Sequence, residues 1–182
     1  MPLFKKSKAK RLAQTGDIPG LLALATGPES PSERADALNA LASFDEEAAG
    51  SHYGDVLRAV RTAVRDPSAD VRTQALFALG ELRPPGAVDE LLAAVDDTDW
   101  GARLFSVILL AHFPEARATA RLIAVVADDE EGLVREAAAS SLGDLGDRGA
   151  IETLRRAANE DPEREVRKAA KSSLRKLETP AG

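Results

Sequence analysis

The chain has 182 residues, 44% of them hydrophobic, and no cysteine, which allows a well-buried core and excludes disulfides and thiolate metal ligands. The net charge of −6 is uneven, with +5 in residues 1–15, −13 in residues 16–150 and +3 in residues 151–177. An acidic body repels phosphate backbones, so we do not expect nucleic acid as the main partner. No apolar run is long enough to span a bilayer and no signal-peptide core is present, so we expect a cytoplasmic protein.

The predicted elements begin with a basic segment, residues 1–16, which we expect to be a solvated tail or a capping helix. Weak attachment to a membrane is the alternative, because Leu3 and Phe4 precede several lysines. Helix pairs follow, each made of an A helix, a short turn and a B helix, and residues 178–182 form a tail. The predicted pairs occupy residues 17–49, 54–86, 87–117, 118–149 and 150–177, with a longer loop at residues 45–54.

The third pair shows the pattern clearly. Apolar residues from Val88 to Val95 fall at helical spacing and predict an A helix over 87–95. The acidic turn at residues 96–99 offers carboxylates that cap the next helix. The B helix is predicted over 101–113, since Pro114 ends it, and the following A helix over about 119–126.

Arginine recurs at nearly one interval, at Arg34, Arg72, Arg103, Arg135 and Arg167. Small or apolar residues return at fixed offsets after each arginine, and a period of this size indicates stacked repeats. An aspartate stands six residues before each arginine except the first, where Pro28 takes its place. These residues are predicted to form a structural ladder of charge-assisted hydrogen bonds across the turns. The ladder comprises Asp66, Arg72, Asp97, Arg103, Asp129, Arg135, Asp161 and Arg167.

The segment Asp66–Leu82 reads Asp-Pro-x3-Val-Arg-x2-Ala-x3-Leu-Gly-x-Leu, and it returns with small changes at 129–145 and 161–177. This pattern resembles the HEAT repeat, and is most similar to the short bacterial and archaeal repeats first described in phycocyanobilin lyase subunits. The resemblance covers residues 17–177. It implies an all-α fold, an α-solenoid (a right-handed superhelix) of about five HEAT-like helix pairs, with the B helices lining the concave side.

Signals for catalysis are sparse in this sequence. The two histidines, His52 and His112, stand sixty residues apart with no companion at metal-ligand spacing. The acidic turns at 96–99 and 128–131 lack the spacing and glycine of a calcium-binding EF-hand loop, and helix capping accounts for them. No phosphate-binding loop, nucleophile elbow or dinucleotide fingerprint occurs. We therefore expect no catalytic residue, metal or cofactor, and a protein that is not an enzyme.

The third B helix departs from the others, because it is apolar nearly all round. A contiguous apolar patch on a soluble protein marks an interaction site, and Trp and Phe are favoured anchors. Burial within the molecule, cover by the N-terminal segment and self-association are the alternatives. The predicted partner-binding residues are Phe77, Trp100, Leu104, Phe105, Ile108 and His112.

Taken together, these patterns predict an adaptor or scaffold that binds another protein through the concave B-helix face and the apolar patch. Acidic side chains around the patch select against anionic partners and attract basic segments. The family resemblance implies two other functions, a bilin lyase-like subunit and a HEAT-like DNA-binding protein or glycosylase. A lack of cysteine weakens the first, and a largely non-basic B-helix face weakens the second.

Overall fold

The computed structural model of the protein describes residues 7–179. Over this range the chain is helical, without a strand, which confirms the predicted all-α fold class. None of the helices in the described range is long and apolar enough to cross a membrane. The α-helices are α1 Lys8–Thr15, α2 Ile18–Thr26, α3 Pro31–Leu41, α4 Glu46–Ala49, α5 Tyr53–Ala63, α6 Ala69–Leu82, α7 Ala87–Ala94, α8 Trp100–Leu110, α9 Ala116–Asp128, α10 Gly132–Leu145, α11 Ile151–Glu160 and α12 Arg164–Glu178.

The chain divides into two compact units, residues 1–90 and residues 91–182. In unit 1 the B helices α3 and α6 pack on each other, and the A helices α2 and α5 form a second row. Helix α1 packs on α2 and α3. Its N-cap is Ser7, whose hydroxyl accepts a hydrogen bond from the N–H of Lys10, and residues 1–6 of the predicted basic segment lie outside the described range. Leucines and alanines such as Leu38 and Ala75 fill the core.

Unit 2 repeats this arrangement. Helices α8, α10 and α12 form a row of B helices in which α10 contacts both neighbours, and α9 packs on α11. The two rows bury leucines between them, among them Leu110, Leu122, Leu142 and Leu154. Close approach in the B row depends on small residues, since a Cβ at Gly143 would lie 3.0 Å from the Cα of Ser173. Glycine at this position therefore allows the close approach of α10 and α12.

The boundaries of the third pair differ slightly from the prediction. Helix α8 begins as expected after Asp99, whose carboxylate accepts from the N–H of Ala102. It ends at Leu110, three residues before the predicted end, and His112 and Phe113 continue in a turn bonded to carbonyls three residues back. Pro114 explains the earlier end, because a proline disfavours helical geometry in the residue before it.

The predicted loop at residues 45–54 was wrong. This segment forms α4, a turn of 3-10 helix at Gly50–His52 and the start of α5. Asp45 caps α4 by accepting from the N–H of Ala48, and alanines favour the helix that follows. Gly50 has a φ of 51°, a conformation that glycine adopts without strain, and this kink separates the short helices.

Candidate protein-binding surface

Helix α8 carries an exposed apolar face in unit 2. Trp100, Leu104 and Ile108 are spaced four residues apart, so they share one side of the helix; we call these three residues the α8 face. Trp100 is 46% exposed and Ile108 is 45% exposed, while Leu104 is half-buried. Elsewhere on α8, Val107 and Leu110 are fully buried in the core. The helix therefore presents apolar residues both to the core and to solvent.

The other predicted partner-binding residues are less prominent. Phe105 is half-buried beside the α8 face, and His112 is exposed just beyond the end of α8. Phe77 lies on α6 in unit 1 and is half-buried, so the surface described here is confined to unit 2. The structure thus leaves Trp100 and Ile108 as the accessible apolar side chains of the predicted set.

One exposed apolar residue was missed by the sequence analysis. Leu133, near the start of α10, is 56% exposed. Within residues 7–179, the exposed large hydrophobic residues are Trp100, Ile108 and Leu133. The repeat register contains a signal for it, because the position two residues before the arginine reads Ser32, Asp70, Gly101, Leu133 and Glu165. Only the fourth repeat has a large apolar residue at this position, so the sequence itself marks Leu133 as an exception.

The ladder arginines connect successive turns within each unit. In unit 2, Arg103 donates from Nε and Nη2 to the two carboxylate oxygens of Asp129, at 2.9 and 3.1 Å. Arg135 makes the same pair of bonds to Asp161, at 2.8 and 3.1 Å. In unit 1, Arg34 donates to both oxygens of Asp66. These three arginines therefore pair with the carboxylate of the following repeat, in the two-pronged geometry that favours arginine over lysine.

The aspartate six residues earlier serves each arginine through its backbone. Nη1 of Arg103 donates to the carbonyl of Asp97 at 3.0 Å, and Nη1 of Arg167 donates to that of Asp161 at 2.6 Å. Arg72 and Arg135 bond to the carbonyls of Asp66 and Asp129 in the same way. In the first repeat, Arg34 uses the carbonyl of Glu29 instead. The first repeat therefore keeps a backbone acceptor for its arginine although Pro28 replaces the aspartate.

Several ladder groups have pKa values shifted toward the charged form. Burial acts to raise the pKa of Asp161, but hydrogen bonds from Arg135 and from the N–H of Glu163 outweigh it and hold that pKa below its usual value. Asp66 has a lowered pKa for the same reasons, with Arg34 and Ser68 as donors. The hydrogen bond to Asp129 raises the pKa of Arg103. The carboxyl groups of Asp66 and Asp161 are consequently ionised at neutral pH and form ion pairs with Arg34 and Arg135.

An open acidic groove lies at the turns before α8 and α10. It has a volume of about 560 Å³, and its acidic lining residues are Asp96, Asp97, Asp128, Asp129 and Glu130. Asp99 caps α8 as predicted. At the N-cap of α10, the side chain of Glu131 accepts no hydrogen bond from the backbone of the helix. Asp129 instead accepts from the N–H of Glu131. Within residues 7–179 no group of three or more potential metal-binding His, Cys, Asp or Glu side chains occurs.

Comparison with known proteins places the chain among helical repeats. The family described as HEAT repeats matches residues 18–104 and 88–175. The chain is 41% identical over 78 residues to the phycocyanobilin lyase subunit beta of a Nostoc species, covering 43% of the chain. It is 31% and 33% identical over 108 residues, 59% of the chain, to the deoxyhypusine hydroxylases of Arabidopsis thaliana and Homo sapiens. These matches span only 34–37% of the relatives' own lengths.

Solved structures agree with this assignment of the fold. A designed armadillo repeat protein in complex with the peptide (KR)4 superposes with a TM-score of 0.70 at 18% identity, covering 93% of the chain and 85% of that protein. The complex of CpcE and CpcF of phycocyanin lyase from Nostoc sp. gives 0.65 at 22% identity, covering 87% and 98%. Human deoxyhypusine hydroxylase gives 0.57 at 21% identity, covering 93% and 77%. The predicted α-solenoid class is confirmed.

The prediction that the protein is not an enzyme was wrong, because its sequence relatives carry the names of a hydroxylase and of a lyase subunit. The prediction had rested on missing local motifs. In a repeat fold, groups that act together come from separate helices, so a short motif does not reveal them.

Proposed function

Since the chain belongs to the HEAT-repeat family, we propose that it binds another protein through the α8 face. The observation that carries this proposal is the exposure of Trp100 and Ile108 on a helix whose other side is already packed in the core. Exposed apolar side chains that share one side of a helix are typical of an interface, and a tryptophan at the edge supplies the kind of anchor that dominates binding energy.

Stacked helical repeats support this proposal in general terms. Their extended surfaces are built from rigid helices, so a side chain on a B helix is presented on a backbone that is already ordered before binding. Two solved structures with similar folds contain a binding partner. The designed armadillo repeat protein binds the peptide (KR)4, and CpcE and CpcF form a complex with each other. Arg103 and Arg135 fix the start of α8 and α10 through the ladder, which holds the α8 face in place.

The test is a pull-down from a cell lysate, in which the proteins retained by the natural chain and by an Ile108→Asp variant are quantified and compared. Ile108 is 45% exposed, so we expect the variant to keep its helical circular dichroism and its melting temperature. Ala120→Asp is the matched control, because Ala120 is exposed on α9 of the same unit. A protein retained by the natural chain and by Ala120→Asp, and lost by Ile108→Asp, supports the proposal. Equal retention by all three refutes it.

A second candidate is a role as a subunit of a lyase-type enzyme. The supporting observation is the 41% identity to a phycocyanobilin lyase subunit, together with the superposition on the phycocyanin lyase complex. This candidate predicts that the visible absorption of phycocyanobilin changes when the protein is added. An unchanged spectrum, with the protein alone and with its captured partner, removes this candidate and leaves protein binding intact.

A further inference from the structure

Apart from the ladder arginines, the charged residues of α8 and α10 are acidic. Each helix contains one arginine, Arg103 or Arg135, and these are only 7% and 8% exposed and engaged in the ladder. The other ionisable side chains of the two helices are Glu136 and Asp144. Asp144 accepts a bond from Lys176 at 2.6 Å. Glu136 is half-buried, and within residues 7–179 it takes part in no described hydrogen bond or ion pair.

The turns before these helices add more negative charge. Asp99 directly precedes Trp100, and Glu130 and Glu131 precede Leu133. Glu130 contacts Arg103 at 3.4 Å, but its side chain is still 82% exposed. Glu130 also lines the acidic groove, in which Arg121 pairs with Asp96. The two exposed apolar residues at the starts of α8 and α10 are thus bordered by carboxylates.

We infer that the segment bound at the α8 face carries bulky apolar side chains next to lysine or arginine, an inference that rests on the function proposed above. Apolar side chains of the partner cover Trp100 and Ile108, and its cations meet the surrounding carboxylates. Complementary charge of this kind sets partner choice and speeds association, while an acidic partner is repelled.

The dimensions of the face indicate a short segment. Trp100 and Ile108 are eight residues apart, which is about 12 Å along a helix at a rise of about 1.5 Å per residue. An extended chain covers this distance in roughly four residues, at about 3.3 Å each. A peptide of twelve residues is therefore long enough to occupy the face and to reach the acidic turns.

The experiment selects random twelve-residue peptides, displayed on phage, against the full chain. We expect the selected peptides to be enriched in lysine or arginine together with Trp, Phe or Leu. A peptide from this pool, labelled and measured by fluorescence polarisation, should bind roughly two- to five-fold more weakly to Glu136→Gln. Its affinity should also fall as sodium chloride is raised. Glu160→Gln is the matched control, since Glu160 is an exposed acid on α11 of the same unit.

The outcomes distinguish a failure of this inference from a failure of the proposed binding at the α8 face. Peptides that are lost with Ile108→Asp but lack cationic residues and ignore salt overturn the inference and leave the α8 face as a binding site. Peptides that bind Ile108→Asp as well as the natural chain, or an empty selection, overturn both. Sedimentation of the protein alone is the last arm: association that Ile108→Asp abolishes identifies a second copy as the occupant and also overturns the inference.

Discussion

Replacing Arg103 by methionine should destabilise the protein by about 3–5 kcal/mol, the usual result of removing one member of a buried ion pair. The Arg103 and Asp129 side chains are only 9% and 7% exposed. The variant keeps the aliphatic volume but leaves the Asp129 carboxylate with a single described donor, the N–H of Glu131. With a urea m-value of about 2 kcal/mol/M, the unfolding midpoint followed by circular dichroism should fall by roughly 1.5–2.5 M.

The matched control is Arg155→Met, because Arg155 pairs with Glu152 and Glu178 but is 52% exposed. We expect a loss below about 1 kcal/mol there. A double-mutant cycle with Asp129→Asn, which keeps the acceptor for the N–H of Glu131, should give a coupling energy of about 1.5–3 kcal/mol. If Arg103→Met costs no more than the control, or if the coupling is zero, the buried ladder does not hold the turns together.

Two other changes test the ladder and the packing of the B helices. The pKa of Asp161 is lowered in the folded state, so its pairing stabilises the fold above the unfolded pKa of about 3.9 and is lost as pH falls through the lower folded value. The stability difference between the natural chain and Asp161→Asn should therefore shrink between about pH 5 and pH 2, and a constant difference in urea midpoint contradicts this. Gly143→Ala should cost about 1–3 kcal/mol by overpacking Ser173, while Gly54→Ala, with nothing within 4 Å, should be neutral or stabilising; equal melting temperatures of the two variants refute the close contact.

Much of the fold is readable from the sequence because one packing solution recurs. The third A helix was predicted over 87–95 and is found at Ala87–Ala94, since apolar spacing alone fixes its buried side. The segment at 45–54 was misread because two short helices give no periodic signal. The capping bond from Asp45 that starts α4 is the type of local contact that a window of hydrophobic periodicity does not record.

The candidate surface is less accessible to sequence reasoning. An apolar helix signals either burial or binding, and only the neighbours of a side chain decide between them. Phe105 and Ile108 look alike in the sequence, but Phe105 is half-buried and Ile108 is exposed. Leu133 was missed although the repeat register marks it as the one large apolar residue two positions before a ladder arginine. The acidic border of the face, in contrast, is visible as Asp99, Glu130 and Glu131 in the printed sequence.

Asp66, Asp129 and Asp161 each use both their carboxylate and their carbonyl, so successive repeats are joined in the same way. Asp129 receives the guanidinium of Arg103 on its side chain and offers its carbonyl to Arg135, and Asp161 stands in the same relation to Arg135 and Arg167. Deleting the 32 residues from Asp129 to the residue before Asp161 would bring Asp161 to the position that Asp129 held, facing Arg103. Insertion of a repeat works in reverse. The length of such a protein can thus change by one repeat at a time, because the same arginine–aspartate contact joins the repeats on either side of the change.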